Sequence, residues 1–366
     1  MKHVFTSESV TQGHPDKICD QIADSILDAA LAQDPESKMA VEATIKDELI
    51  FVYGEANTKA DLDYAQIAKE VVRKIGFEEE YQVLVKVGVQ SAEIFQAVAK
   101  EEVHAGDQGI MFGYACEETK TYMPLSIHLA HLLAKQLTKV FQEDPATILK
   151  PDGKTQVSVE YEGDTIARID TILVSTQHCA GISQHDLETY VMKHVILPVV
   201  KDYPVDADTK YIINPSGSFV VGGSFGDSGT TGRKIVVDTY GGHGRIGGGC
   251  FSSKDGSKVD RTAAYYARFV AKNIVANGFA KKCEVELSYA IGQSKPISVF
   301  IDTFGTNAVS EEQIHALVEQ NFDFRVAHMI EAMQMKRPMF APLAAYGHFG
   351  REDLNLPWEQ IISLKA

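Results

Sequence analysis

The order of secondary-structure signals repeats three times along the chain, and this repeat limits the fold more than any other feature of the sequence. Pro15, suited to a first helical position, and Ile18, Ile22 and Ile26 at four-residue spacing predict a helix over 15–33. Two strand-like runs follow, MAVEATIK and LIFVYGE, joined at Asp47 and Glu48. A second helix over 61–75 places Ala68, Val71, Val72 and Ile75 on one face, and YQVLVKVG reads as a strand. After residue 104 the order recurs. GIMFGYAC is a strand, 124–140 is a helix with Leu125, Leu129, Leu132, Leu133 and Leu137 inward, and TQVSVEYEGDTIARIDTILVS is a hairpin turning at 162–164. A helix then opens at Ser183, with Asp186 at capping distance, and YIIN follows. The third copy reads as the strand KIVVDTY, a helix over 259–277, the strands CEVELSYAIG and ISVFIDTFG, and a helix opening at the capping box Ser310 to Gln313, with Ile314, Leu317 and Val318 inward. Three β-α-β-β-α units of about 110 residues predict an α/β (α+β sandwich) architecture with a pseudo-threefold internal repeat, each sheet carrying both helices on one face. The alternative is one large mixed sheet with irregular inserts. The unit boundaries are placed at 1–103, 104–222 and 223–366.

Composition narrows the function classes. The net charge is −15, from 35 Lys and Arg against 50 Asp and Glu. That disfavours nucleic acid as a partner, which needs a broad basic face, and leaves a single small anion possible. No apolar run reaches the roughly 20 residues that span a bilayer, so no membrane association is expected. The start MKHVFTSESV lacks the apolar core of a signal peptide, so a cytoplasmic location is expected. Five scattered cysteines, at 19, 116, 179, 250 and 283, with no C-x-x-C pair, fit reduced thiols rather than disulfides or structural zinc.

Chemistry concentrates in two places. Residues 217–256 hold 13 of the chain's 28 glycines, and Arg233, Lys234, Arg245, Lys254, Lys258 and Arg261 lie in or just after that stretch. Glycine lets backbone amides approach a ligand, and the cations add positive charge, a combination suited to a polyphosphate. Flexible surface turns are the bland alternative. The P-loop pattern is absent: five residues separate Gly226 from Gly232, and Arg233 follows. Gly242, Gly244 and Gly247 match G-x-G-x-x-G after KIVVDTY, but GGGCFSSKDGS cannot open the helix a dinucleotide site requires. The second place is Gly13-His14-Pro15-Asp16-Lys17 at the first helix start, where free amides favour an anion. His14 and Lys17 suit phosphate oxygens there and Asp16 suits Mg²⁺ bridging to them; an ordinary helix start with an acidic first turn is the alternative. Glu42 and Glu55 on neighbouring strands are either solvated or cation ligands, and Asp107 sits in a Gly-Asp-Gln-Gly turn. No H-E-x-x-H, G-x-S-x-G or paired Cys/His arrangement supports zinc hydrolase, serine hydrolase or thiol chemistry.

The segments FTSESVTQGHPDKICDQIADSILDA, GDQGIMFGYA, IINPSGSFVVGG, GDSGTTGRKIVVDTYGGHGRIGGGCFSSKDGSKVDRTAAYYARFVAKNIV and AAYGHFGRE resemble the S-adenosylmethionine synthetase (methionine adenosyltransferase) family, in order along nearly the whole chain. The resemblance implies synthesis of S-adenosyl-L-methionine from ATP and L-methionine, with hydrolysis of the released triphosphate. It implies interleaved units, active sites shared between the subunits of a homodimer or homotetramer, and Mg²⁺ and K⁺ as cofactors. By position it implies catalytic roles for His14, Lys154, Arg233 and Lys254. ATP contacts are implied for those four and for Asp152, Gly153, Ser218, Phe219, Asp227, Lys234 and Cys250, with Phe219 stacking on adenine or, alternatively, packing in the core. Methionine contacts are implied for Glu55, Gln90, Asp107, Asp227 and Lys258, Mg²⁺ ligation for Asp16 and Asp260, K⁺ ligation for Glu42, and a mobile gate between Gln90 and Glu102 that could equally be a fixed surface helix. Three positions depart from the family's pattern: Ser218 stands where arginine is common, Cys250 where a small alanine is, and His104 where glycine is usual. Two other readings remain: a different Mg²⁺-dependent ATP-cleaving transferase, and an inactive regulatory partner, against which the intact His14, Asp16, Lys254, Lys258 and Asp260 argue.

Overall fold

In the computed structural model, which describes residues 2–89 and 104–365, the threefold repeat is present, with its strands exchanged between units. The first unit contributes β1 (Lys2–Val10), α1 (Pro15–Gln33), β2 (Lys38–Lys46), β3 (Leu49–Asn57), α2 (Tyr64–Ile75) and β4 (Gln82–Gly88). The second contributes β5 (Gly109–Cys116), α3 (Leu125–Glu143), β6 (Leu149–Glu162), β7 (Thr165–His178), α4 (Gln184–Val191) and β8 (Lys210–Ile213). The third contributes β9 (Gly229–Thr230), α5 (Val259–Ala276), β10 (Lys282–Tyr289), β11 (Ser298–Asp302), α6 (Glu311–Asn321) and α7 (Val326–Ala332). The sheets are β1-β6-β7-β8, β9-β2-β3-β4 and β5-β10-β11. In each, an antiparallel hairpin from one unit is flanked by the first strand of another: β1 pairs β6, β5 pairs β10, and β9 pairs β2.

Local chemistry sets the element ends. His14, Asp63, Ser183 and Ser310 each accept a backbone N–H at a helix start, Ser310 within the predicted capping box, and Gly76 closes α2 in the left-handed region at φ 117°. One apolar core is continuous around α1 and α5, and a second surrounds α3. The helices lie close on the strands: a Cβ on Gly113 of β5 would stand 2.0 Å from the Ala267 carbonyl carbon of α5, so only glycine fits.

Three elements differ from the sequence reading. KIVVDTY is not a strand. Ile235–Asp238 forms one helical turn, closed by the Asp238 N–H on the Lys234 carbonyl at 2.8 Å, and the third unit's first strand is the short β9 instead. The strand β1 escaped the periodicity because its inward residues are polar: Ser7 bonds Ser126 at 2.8 Å and Ser9 bonds His131 at 2.7 Å, both buried. The third is α7, a short helix beyond the expected end of the repeat. Among the described residues no helix is long and apolar enough to cross a membrane.

Candidate active site

The glycine-rich segment runs from β9 to the start of α5 and lies against the first turn of α1. It can do so because Gly229 has no side chain: a Cβ there would stand 2.1 Å from the Pro15 carbonyl oxygen. Asp16, almost wholly buried in that turn, gathers the segment's first cations. Its Oδ1 accepts Arg233 Nε at 2.8 Å and the Thr230 N–H at 3.0 Å, and its Oδ2 accepts Lys234 Nζ at 3.0 Å. Burial opposes the charge on Asp16, but these donors prevail and hold its carboxyl below the usual range. Arg233 is tied down further by the Ser228 carbonyl at 2.7 Å and is still about half exposed, 47%, so its remaining N–H groups face outward.

His14 caps α1. Its Nδ1 accepts the Asp16 N–H at 3.2 Å, which leaves the proton on Nε2 as a donor. Burial first, then the Lys234, Lys154 and Lys17 charges, push the imidazole down to about 3 against the pull of Asp16, so it is neutral at physiological pH. The second unit reaches this point through the β1–β6 pairing, which sets Lys154 opposite Val10 and bonds the Gly153 carbonyl to the Thr11 N–H at 2.9 Å. Lys154 is exposed on β6. Asp152 is buried, accepts the Gly223 N–H at 2.8 Å, and is raised to about 6 by that burial. The Gln177 side chain joins Asp152 N to the Val220 carbonyl, and Phe219 N–H donates to His178 Nε2 at 3.0 Å. Phe219 is half-buried between the exposed Ser218 and Val220, so it is not a core residue. Asp227 is exposed and accepts the Ser228 N–H at 2.7 Å.

At the segment's far end Lys254 Nζ meets Asp260 Oδ2 at 2.5 Å, in the first turn of α5. Lys258, capping that helix, bonds Asp255 Oδ2 at 2.8 Å. Lys254 bridges Ala40 of β2, whose other neighbour is Glu55 of β3, so Glu55 lies two strands from Lys254, about 10 Å away. Glu55 and Asp107 are exposed. Burial opposes the charge on Lys254, and its neighbours, Asp260 and more weakly Asp107 among them, outweigh it and hold the ammonium above its ordinary value. Cys250, half-buried, joins the two ends: a Cβ on Gly232 would stand 2.8 Å from its sulfur, and burial raises its thiol. Glu42 is half-buried on β2 and accepts Tyr53 OH at 3.4 Å.

Three predicted phosphate cations are placed elsewhere. Lys17 is fully buried: burial would lower it, but Asp20 at 2.8 Å and Asp238 outweigh that and keep it cationic. Arg261 is equally buried on Asp24 at 2.8 Å, and Arg245 turns to Glu284 on β10 at 2.6 Å. A cation in sequence beside a glycine cluster does not reveal whether an interior carboxylate claims it. Gln90 and Glu102 lie outside the described residues, and His104 is half-buried just after them. No helix opens after Gly242, Gly244 and Gly247, as expected.

Among the described residues no three carboxylate, imidazole or thiol groups cluster as a protein-only metal site. The donor chemistry instead suits Mg²⁺ held partly by a polyphosphate: Asp16 and Asp260 each offer one carboxylate at a helix start, beside cations that would accompany the same phosphates. What the arrangement can do chemically is bind a polyphosphate by one deeply anchored group and one more open group.

Comparison with known sequences identifies the family. The family models for the N-terminal, central and C-terminal domains of S-adenosylmethionine synthetase match residues 2–101, 102–219 and 221–360. An S-adenosylmethionine synthase of Clostridium botulinum (strain Alaska E43 / Type E3) is 50% identical over 381 aligned positions, which cover 99% of this chain and 97% of that protein. The chain is therefore a member of the S-adenosylmethionine synthetase family.

Proposed function

We infer that this chain joins L-methionine to the adenosyl group of ATP. The sulfur lone pair forms the bond to C5′ as the C5′–O bond breaks, and its electron pair leaves with the triphosphate, which is then hydrolysed to pyrophosphate and phosphate. The observation that carries the reading is the gathering of Arg233 and Lys234 on Asp16 beside His14, with Lys254 on Asp260 at the other end of one glycine-rich segment. A thioether attacks without losing a proton, so the reaction needs alignment and neutralisation of the leaving charge rather than a base. A neutral His14 with its proton on Nε2 suits that role, donating to the oxygen on which charge develops.

The finer assignments follow from position. Asp152, Gly153, Lys154, Ser218, Phe219, Asp227 and Cys250 surround the nucleotide, with Phe219 against adenine. Glu55, Asp107, Asp227 and Lys258 face methionine together with Gln90. Asp16 and Asp260 hold Mg²⁺, which supplies positive charge to the triphosphate when bound, and Glu42 holds K⁺. The site is completed by a second subunit, in a homodimer or a tetramer of such pairs. Supporting this are the exposure of Glu55, Asp107 and Asp227 and the open apolar residues Leu84, Val85, Ile110 and Phe300, each at least 43% exposed, on sheet strands. Unit boundaries at 103 and 222, and a cytoplasmic location, belong to the same reading.

The test is incubation with ATP, methionine, Mg²⁺ and K⁺. It should yield the sulfonium product with pyrophosphate and phosphate, and phosphate release should require methionine. Folded protein that makes no product over a range of salt and pH defeats the reading. A fully active monomer in analytical ultracentrifugation at assay concentration defeats the shared site.

A further inference from the structure

Along α1 an aspartate recurs at every fourth residue, at 16, 20, 24 and 28. At about 5.4 Å per turn, these carboxylates stand one above another on one face. Each receives backbone amides from a distant part of the chain. Beyond the Thr230 N–H on Asp16, Asp20 Oδ1 accepts the Gly232 N–H at 2.9 Å. Asp24 accepts the Ser253 N–H at 3.1 Å and the Ser252 hydroxyl at 3.0 Å. Asp28 accepts the N–H groups of Met339, Phe340 and Ala341 at 2.8–2.9 Å. The two middle rungs hold the two ends of the basic segment, since Gly232 immediately precedes Arg233 and Lys234, and Ser253 immediately precedes Lys254.

The residues held there both have positive φ, 81° at Gly232 and 84° at Ser253. Serine adopts that conformation only where its surroundings impose it. The carboxylates cannot swing away. Both are fully buried, Asp20 against Lys17 at 2.8 Å and Asp24 against both Arg261 Nη groups at 2.8 Å. Each carboxylate therefore touches the basic segment through a backbone amide and is paired with an interior cation, Arg261 for Asp24 and, for Asp20, Lys17, which Asp238 shares.

We propose that Asp20 and Asp24 are positioning residues for adenosyl transfer: α1 serves as a ruler that fixes the Gly232 and Ser253 amides at its own pitch, so that Arg233 with Lys234, and Lys254, meet one polyphosphate already in place. This rests on the function inferred above, so calorimetric binding of inorganic tripolyphosphate is measured beside turnover. An unaltered protein that makes no sulfonium product but binds tripolyphosphate more tightly than the variants would sink that function and leave the ruler standing. Asp20→Asn and Asp24→Asn each lower kcat about 10- to 100-fold while KM for methionine stays within about twofold. The deciding readout is a pair of double-mutant cycles. In the Arg233→Leu background Asp20→Asn costs less than about threefold while Asp24→Asn keeps its full effect, and in the Lys254→Met background the pattern reverses. Equal losses in every background, or losses under about twofold in the parent, overturn the proposal. If the asparagine variants do not fold by circular dichroism, Asp20→Glu and Asp24→Glu are put through the same cycles. Failure of those to fold as well assigns the aspartates to the fold alone and overturns the proposal.

Discussion

The first turns of α1 and α5 occupy equivalent places in the first and third units and are built from the same parts. Each has an aspartate at its second residue, Asp16 or Asp260, and a buried cation at its third, Lys17 or Arg261, tied to an interior carboxylate. They differ in how firmly the aspartate is held. Asp16 receives Arg233, Lys234 and the Thr230 N–H and is 3% exposed; Asp260 receives Lys254 and is 15% exposed. The matching start of α3 has Ser126 at its second residue, bonded to Ser7 and His243, and carries no charge in its first turn. A threefold repeat thus supplies three equivalent helix ends, and two of them carry an aspartate held by cations of the glycine-rich segment. The difference between those two assigns a fixed electrostatic anchor to α1 and a more open carboxylate to α5.

The largest expected effect tests the anchor. On the proposed assignment Arg233→Leu and Lys154→Met each remove a cation from the leaving triphosphate, and each should lower kcat by about 10²- to 10³-fold, with circular dichroism and thermal unfolding close to the parent. Near-normal turnover in both would place the triphosphate elsewhere and erase the contrast between the helix ends. The next effect sharpens it. Asp16→Asn should reduce turnover and raise the Mg²⁺ concentration needed for half-maximal rate, because on the proposed assignment it removes a metal ligand, and it frees both Arg233 and Lys234. Asp260→Asn loses a carboxylate that, among the described residues, is held by Lys254, and should shift the Mg²⁺ requirement less, by about tenfold. Equal shifts would mean that the difference in burial carries no functional weight.

A smaller effect separates His14 from its surroundings. Its folded value near 3 lies below the ordinary 6.5, so between those limits the unfolded chain binds more protons than the folded one. Stability from this group therefore falls as pH drops from about 6.5 toward 3 and is fully present above that window. Urea unfolding at pH 7 and pH 5 should show the parent losing more stability on acidification than His14→Asn. Equal pH dependence in parent and variant would show that the ring is not held neutral.

Much of this was legible in the residues, and what was hidden has a common cause. Helix caps, hairpins and the basic glycine stretch leave short-range signals, as at Ser310, 162–164 and 217–256. The exchange of β1, β5 and β9 between sheets leaves none, because pairing partners lie more than a hundred residues apart and β1 turns serines inward. Which cations face a ligand was also hidden: Lys17, Arg245 and Arg261 look in sequence like Arg233 and Lys234, yet interior carboxylates claim them. The aspartate period on α1 was visible throughout, but a four-residue spacing of acids reads as a solvated helix face until the chain it faces is known.

The smallest expected effect probes the point where the two ends of the segment touch. Cys250 packs against Gly232, whose missing Cβ leaves room for the sulfur, and burial raises the thiol, so little thiolate is present at neutral pH. Alkylation should accordingly be slow, faster at pH 9 than at pH 7, and slowed further by bound ATP. Once attached, the added group has no space beside Gly232 and should abolish ATP binding. Cys250→Ala, which only shrinks the contact, should stay within about threefold of the parent rate, because a half-buried site can relax around a lost sulfur. Full activity after alkylation confirmed by mass spectrometry would place the thiol outside the nucleotide's path, and the anchor on α1 and the open carboxylate on α5 would then have to act on the triphosphate without that junction between them.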